Sequence, residues 1–115
     1  MFQLLLIGFL LLSALPAWAA SNTLTWTDNS TNEANFNIER KAEACAGTVP
    51  FAALVTVGLN VTTYTDSAVT EGATYCYRLN ASNSAGVSAY SNTASRTVPF
   101  SVPAAPTGLG VSGGP

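Results

Sequence analysis

The side chains able to do chemistry are few, and their spacing argues against catalysis. Cys45 and Cys76 are the only cysteines, and the chain has no histidine. Two thiols with no histidine beside them make neither a zinc site nor an iron–sulfur cluster, and no Cys-x-x-Cys spacing marks a redox pair. Serines and threonines abound, but the imidazole that would activate one as a nucleophile is missing. The carboxylates are Asp28, Glu33, Glu39, Glu43, Asp66 and Glu71. Asp28 and Glu33 flank one loop and, with Asn29 and Asn32, offer oxygens of the kind calcium takes. Their spacing is not that of an EF-hand, so turn capping is the reading carried forward, and Asp66 reads as a turn residue. No catalytic residue, metal site or cofactor is expected. Four Lys and Arg against six Asp and Glu, a net charge of −2, leave no basic surface for nucleic acid.

The elements that position these groups begin after an apolar leader. Phe2 to Leu15 is apolar but for Gln3, Gly8 and Ser13; Pro16 breaks it, and Ala17-Trp18-Ala19 has the small-x-small form of a cleavage site. Residues 1–20 therefore read as a secretory signal peptide cut after Ala19 or Ala20, although no Lys or Arg precedes the run. Retained, they would be a hydrophobic anchor. Either way residues 21–98 lie outside the cytoplasm, and a membrane is a partner only if residues 2–20 stay.

The body is written in period two. Leu24 and Trp26 alternate with threonines, Phe36 and Ile38 with Asn35, Asn37 and Glu39, and Tyr75, Tyr77, Leu79 and Ala81 with Cys76, Arg78 and Asn80. Phe51 to Val57 is a further strand whose alternation is blurred by Ala52, Ala53 and Leu54. Val61 to Thr65 is β-branched and aromatic, with Tyr64 as its core residue. Asn83 to Gly86 has hairpin length, and one last strand runs from about Val87 to Val98. Glu39 to Ala46 could hold a helical turn, stopped by Gly47 and Pro50. Short strands separated by turn-rich gaps predict an all-β antiparallel sandwich. Its core is Leu24, Trp26, Phe36, Ile38, Tyr64, Tyr75, Tyr77 and Leu79.

Leu24-Thr25-Trp26-Thr27-Asp28, Phe36-Asn37-Ile38-Glu39-Arg40, Asn60 to Asp66, Tyr75 to Gly86 and Ser88 to Asn92 together resemble a fibronectin type III domain of the bacterial secreted type. The resemblance implies an immunoglobulin-like antiparallel β-sandwich. It places Leu24–Trp26 on strand B, Phe36–Arg40 on C, Phe51–Val57 on C′, Val61–Thr65 on E, Tyr75–Ala81 on F and Ser88–Thr97 on G. Tyr75 falls at the tyrosine corner, its hydroxyl bonding back to the backbone before strand F, with Val69 where leucine is usual. Two departures stand out. Strand A is missing before Ser21, or is supplied by the C-terminal tail. Residues 99–115 are Pro/Gly-rich, and Val102 to Val111 looks like a linker followed by strand A of a following or neighbouring domain.

C and F are antiparallel neighbours in this fold, so a Cys45–Cys76 disulfide across the outside of that sheet is expected; two separate reduced thiols are the other reading. Glu39, Arg40 and Arg78 are expected to form an ion pair on the same outer face. The positions that would touch a partner are Asn83, Ser84 and Gly86 in the hairpin, Tyr90 beside it, and Leu109 and Val111 in the tail. The hairpin lacks the Arg-Gly-Asp triplet with which some family members bind integrins. Asn29-Ser30-Thr31, Asn60-Val61-Thr62 and Asn80-Ala81-Ser82 have the form of glycosylation acceptors, chance matches if the source is bacterial. The resemblance implies a non-catalytic extracellular module for spacing, adhesion or assembly. Its partner would be a protein or tandem domain at an exposed sheet edge; a polysaccharide would also suit the low-charge surface. The alternatives are an accessory subunit of a membrane complex, a subunit of an extracellular filament, and a carbohydrate-binding module.

Overall fold

The computed structural model describes residues 19–115. The leader expected at residues 1–20 lies, apart from Ala19 and Ala20, outside the described residues. Among the described residues no helix is long and apolar enough to cross a membrane.

Among the described residues seven strands follow one another: β1 (Asn22–Thr25), β2 (Asn35–Lys41), β3 (Ala52–Gly58), β4 (Thr63–Asp66), β5 (Thr74–Asn83), β6 (Gly86–Val87) and β7 (Ala94–Thr97). They make two antiparallel sheets. One holds β1 and β4; the other has the order β3-β2-β5, with β6 and β7 both pairing with the far edge of β5. This is an immunoglobulin-like or fibronectin type III-like arrangement. Residues 99–115 have no secondary structure and are exposed throughout. With this uncovered tail the molecule is elongated, 82 × 41 × 20 Å along its principal axes, rather than a compact closed sandwich.

The period-two pattern is what lets the sheets pack. Phe36 and Ile38 on β2 and Tyr75 and Tyr77 on β5 are buried, and Val98 joins them. Leu24, Trp26, Tyr64 and Leu79 are half-buried and pack on that cluster, with Val69. Trp26 and Phe36 meet edge to face, with ring centroids 5.7 Å apart, an arrangement aromatic quadrupoles favour. Val98 is a core residue that pattern alone did not single out, because it lies just past the last alternating segment.

Three local features differ from expectation. The blurred alternation of β3 is a bulge: Ile38 opposes Val55 but Glu39 opposes Ala53. One extra residue resets the parity of the strand, which leaves Leu54 and Val55 both half-buried. No helical turn forms between Glu39 and Ala46, where the chain makes bends and a hydrogen-bonded turn. The last strand is broken rather than continuous. Between β6 and β7, Ser88 and Ser91 donate their N–H groups to the carbonyls of Ala81 and Leu79, both at 2.8 Å. Their hydroxyls accept the N–H groups of Ala81 at 2.9 Å and Leu79 at 3.1 Å. Each serine side chain thus stands in for a ladder carbonyl, satisfying β5 without a regular strand.

Candidate functional site

The inner face is closed at one end by a chain of polar side chains. Arg96 donates to the Asn22 side-chain oxygen at 2.7 Å and to the Ser21 carbonyl at 2.9 Å. Asn22 donates to the Tyr77 hydroxyl at 2.9 Å, and Tyr77 donates to Asp66 Oδ2 at 2.8 Å. Arg40 donates to the same oxygen at 2.9 Å and to the Ala68 carbonyl at 2.9 Å. The Ala68 N–H caps Asp66 Oδ1 at 3.1 Å. Asp66 is 1 % exposed. Burial disfavours its charge, yet the bonds from Tyr77, Arg40 and Ala68 outweigh that and hold its pKa below the usual value. Burial likewise pulls Arg40 down, and Asp66 more than restores it, so its pKa is raised. Burial, followed by the bond to and charge of Asp66, pushes the Tyr77 phenol up to about 12. Asp66 therefore makes the turn bond its sequence context suggested, to the Ala68 N–H, and is in addition the paired centre of a seam joining β1, β2, β4, β5 and β7.

Arg40 corrects a second expectation. It shares a parity with Phe36 and Ile38, so it turns inward to Asp66 and stacks 5.0 Å over the Tyr75 ring. On the outer face Glu39 forms its ion pair with Arg78, at 2.8 Å, without Arg40. The Arg78 guanidinium is sandwiched 4.1 Å from the Phe51 ring centroid and 3.7 Å from that of Tyr90. Tyr90 donates its hydroxyl to Glu39 at 2.8 Å, a bond that raises the pKa of the phenol. Tyr90 is thus part of a cation–aromatic stack and is still 46 % exposed. The Cys45–Cys76 disulfide sits on the same face, with Cα atoms 5.1 Å apart, inside the usual span. Lys41 fastens the connection above it, donating to the Cys45 carbonyl at 3.0 Å and the Gly47 carbonyl at 2.8 Å.

At the other candidate positions the chemistry is that of turns. The Tyr75 hydroxyl accepts the Thr70 N–H at 2.9 Å, the corner the resemblance implied. Asn83 and Gly86 pair across the hairpin; the Asn83 side chain caps the Ala85 N–H at 2.8 Å and donates to the Asn32 carbonyl at 3.0 Å. Ser84 is exposed at its tip. Glu33 accepts from the Ser30 hydroxyl and the Asn60 N–H. The Ser30 bond, with backbone help, brings its pKa down to about 2. Asp28 caps the Ser30 N–H at 3.0 Å. Among the described residues no group of three or more His, Cys, Asp and Glu is placed to hold a metal.

What remains unfilled is a flank. A cleft of about 670 Å³ runs between β1 and the β5–β7 side of the larger sheet, walled by Leu24, Trp26, Tyr77, Leu79 and the polar residues around them. Among the described residues β1 pairs on one side only, with β4. The Trp26 N–H donates to the Thr62 carbonyl at 3.0 Å, so by antiparallel alternation the backbone groups of Thr23 and Thr25 face the open side. The Trp26 indole N–H is shut off from solvent and has no acceptor among the described residues. The sequence reading anticipated a bare edge here, but not the cleft behind it. Leu109 and Val111 are 99 % and 98 % exposed in the tail and touch neither.

Known structures share this fold. The twitchin kinase region from C. elegans aligns over 70 % of this chain and 14 % of its own length, with a TM-score of 0.56 and 23 % identity. A structure described as a myokine aligns over 71 % of this chain and 85 % of its own, with a TM-score of 0.53 and 17 % identity. The chain therefore spans a small part of the twitchin structure. At these identities the likeness establishes an all-β domain of immunoglobulin or fibronectin type III type. No protein-family profile matches the chain, and no curated protein matches it.

Proposed function

We propose that this chain is a non-catalytic fibronectin type III-like module, exported from the cytoplasm, that works by packing a protein neighbour against the open edge of β1. The observation that carries this reading is the pair Thr23 and Thr25, whose backbone groups face outward beside an apolar cleft. Edge strands with free N–H and C=O groups take up extended segments. Among the described residues β3 and β4 also have a free edge; the edge of β1 differs in lying beside the apolar cleft, where added structure buries most apolar surface. The disulfide suits an oxidising compartment, in keeping with the leader-like residues 1–20. A carbohydrate-binding role has less support, because Tyr90 is committed to Arg78 and Glu39, leaving no row of free rings among the described residues.

Two measurements test the reading. Intact mass of the protein from its source, with and without reductant, should give a chain beginning at Ala20 or Ser21 that gains two hydrogens on reduction. Hydrogen exchange on the folded monomer should show Thr23 and Thr25 exchanging freely while Leu24 is protected. A precursor found reduced in the cytoplasm, or a monomer whose Thr23 and Thr25 are protected, would contradict it.

A further inference from the structure

We infer that the cleft beside β1 receives the tail of a second copy of this chain, residues 107–112 adding as a strand antiparallel to β1, so that copies join head to tail. The inference rests on the reading of β1 as a contact edge.

The tail has the composition the cleft calls for. No Asp, Glu, Lys or Arg occurs beyond Arg96, so burying this segment desolvates no charge. The cleft walls are neutral as well, apart from Arg78, whose guanidinium is held on the outer face between Phe51 and Tyr90. Thr107, Leu109 and Val111 fall on one face of an extended strand. Leu109 and Val111 are almost fully exposed, so nearly all of their apolar surface is available for burial. Gly108 and Gly110 alternate with them and present no bulk on the opposite face. Gly108 has φ +71° and must straighten to join a ladder, a change that glycine makes at little steric cost. Pro103 and Pro106 keep the preceding stretch extended and mark where pairing can begin.

Chain direction decides between this copy's tail and another's. The tail leaves the body at the end where β1 starts: Arg96 bonds Ser21, and the Gly72 N–H donates to the Val98 carbonyl at 2.7 Å. The exit is then fixed. Ser101 donates its hydroxyl to Glu71 at 2.9 Å, and the Phe100 ring lies where a Gly72 side chain would be. A strand antiparallel to β1 must enter from the opposite end, near Trp26. A chain's own tail would have to climb the length of the sandwich and reverse before pairing. The tail of a copy stacked end to end arrives at that end already pointing the right way. Such a contact joins two different surfaces, so it leaves one free edge and one free tail on every assembly and propagates.

The test separates donor from acceptor. Leu109→Asp with Val111→Asp spoils the tail and leaves the cleft; Thr25→Pro removes an outward N–H from β1 and leaves the tail. Sedimentation of the disulfide-bonded chain exported by its source should show mass growing with concentration past the dimer. Each variant alone should need at least about tenfold more protein to associate. Mixed in equal amounts, the two should form one-to-one pairs and stop there, since a single sound junction remains. A peptide of residues 102–115 added to the unmodified chain should cap the assemblies and shorten them, a result that does not depend on Thr25→Pro folding. Assembly unaffected by the tail variant overturns the inference. So does a tail variant that lowers the melting temperature of a monomer, which would mean that the tail fills its own cleft. If the chain stays monomeric with Thr23 and Thr25 exchanging freely, the edge is open but the partner is another molecule. If those amides are protected in a monomeric tail variant, the contact-edge reading itself falls.

Discussion

The two flanks of β1 are built by opposite means. At its start, Asn22 is locked into a run of charge-assisted hydrogen bonds that passes through Tyr77 and Asp66 to Arg40. Along its outer edge, Thr23 and Thr25 meet no strand among the described residues, and the cleft beside them is open. The contrast shows that side chains alone can hold two sheets together at one end, where a few directional bonds are each fully satisfied. A flank is closed by side chains only where hydroxyls are placed for it, as Ser88 and Ser91 are on β5; the row of backbone groups at Thr23 and Thr25 is matched most fully by another strand.

If that contrast is right, damage to the closed side should be costly and damage to the open side nearly silent in the monomer. The largest effect is expected from Cys45→Ser with Cys76→Ser. The 31-residue separation gives a loss of about 3.5–4 kcal/mol in the chain-entropy account, to be read from urea unfolding. Asp66→Ala should come next, at about 2–4 kcal/mol, because it leaves Arg40 without its anionic partner and the Tyr77 hydroxyl without its acceptor. A loss below about 1 kcal/mol would mean that the seam closes nothing.

The seam also predicts how stability responds to pH. The Asp66 pKa is lowered in the folded state, so its contribution is present above the ordinary carboxylate value of about 4 and is lost as pH falls through the lowered one. Glu33, at about 2, behaves in the same sense. Tyr77 is raised to about 12, so its contribution is intact below the ordinary value of about 10 and is lost between about 10 and about 12. Thermal melts across acid and alkaline pH check both limbs. Absorbance titration of the folded protein should show a phenol ionising near pH 12 that is missing from Tyr77→Phe.

Smaller effects complete the comparison. Tyr75→Phe removes the acceptor for the Thr70 N–H and should cost about 0.5–1.5 kcal/mol. Thr25→Val, on the open edge, should change monomer stability by no more than about 0.5 kcal/mol. A large loss there would show that the edge is already covered.

Much of this architecture could be read from the residues before any coordinates. Alternation at Phe36 and Ile38 and at Tyr75 and Tyr77 marked the paired strands, because a strand with one wet face must repeat every second residue. The corner at Tyr75 and the pairing of Cys45 with Cys76 followed from the resemblance, which orders the strands. The bulge in β3 was visible only as a blur, since one inserted residue destroys the very pattern that reveals a strand. Arg40 lies on the face opposite Glu39, not beside it as its neighbours suggest, and its parity with Ile38 is the signal in the sequence for that inward turn. Asp66 was passed over because a lone carboxylate after a strand usually is a turn residue.

The sequence by itself determined which segments are strands, which faces of them are apolar, and that no histidine-dependent chemistry is available. These properties are local, set by side-chain type and a spacing of two. The tertiary structure alone decided that Asp66 meets Arg40 and Tyr77, that serine hydroxyls bridge the gap between β6 and β7, and that a cleft lies behind the open edge of β1. Those depend on residues far apart in the chain arriving within hydrogen-bond reach, and a one-dimensional pattern carries no distance.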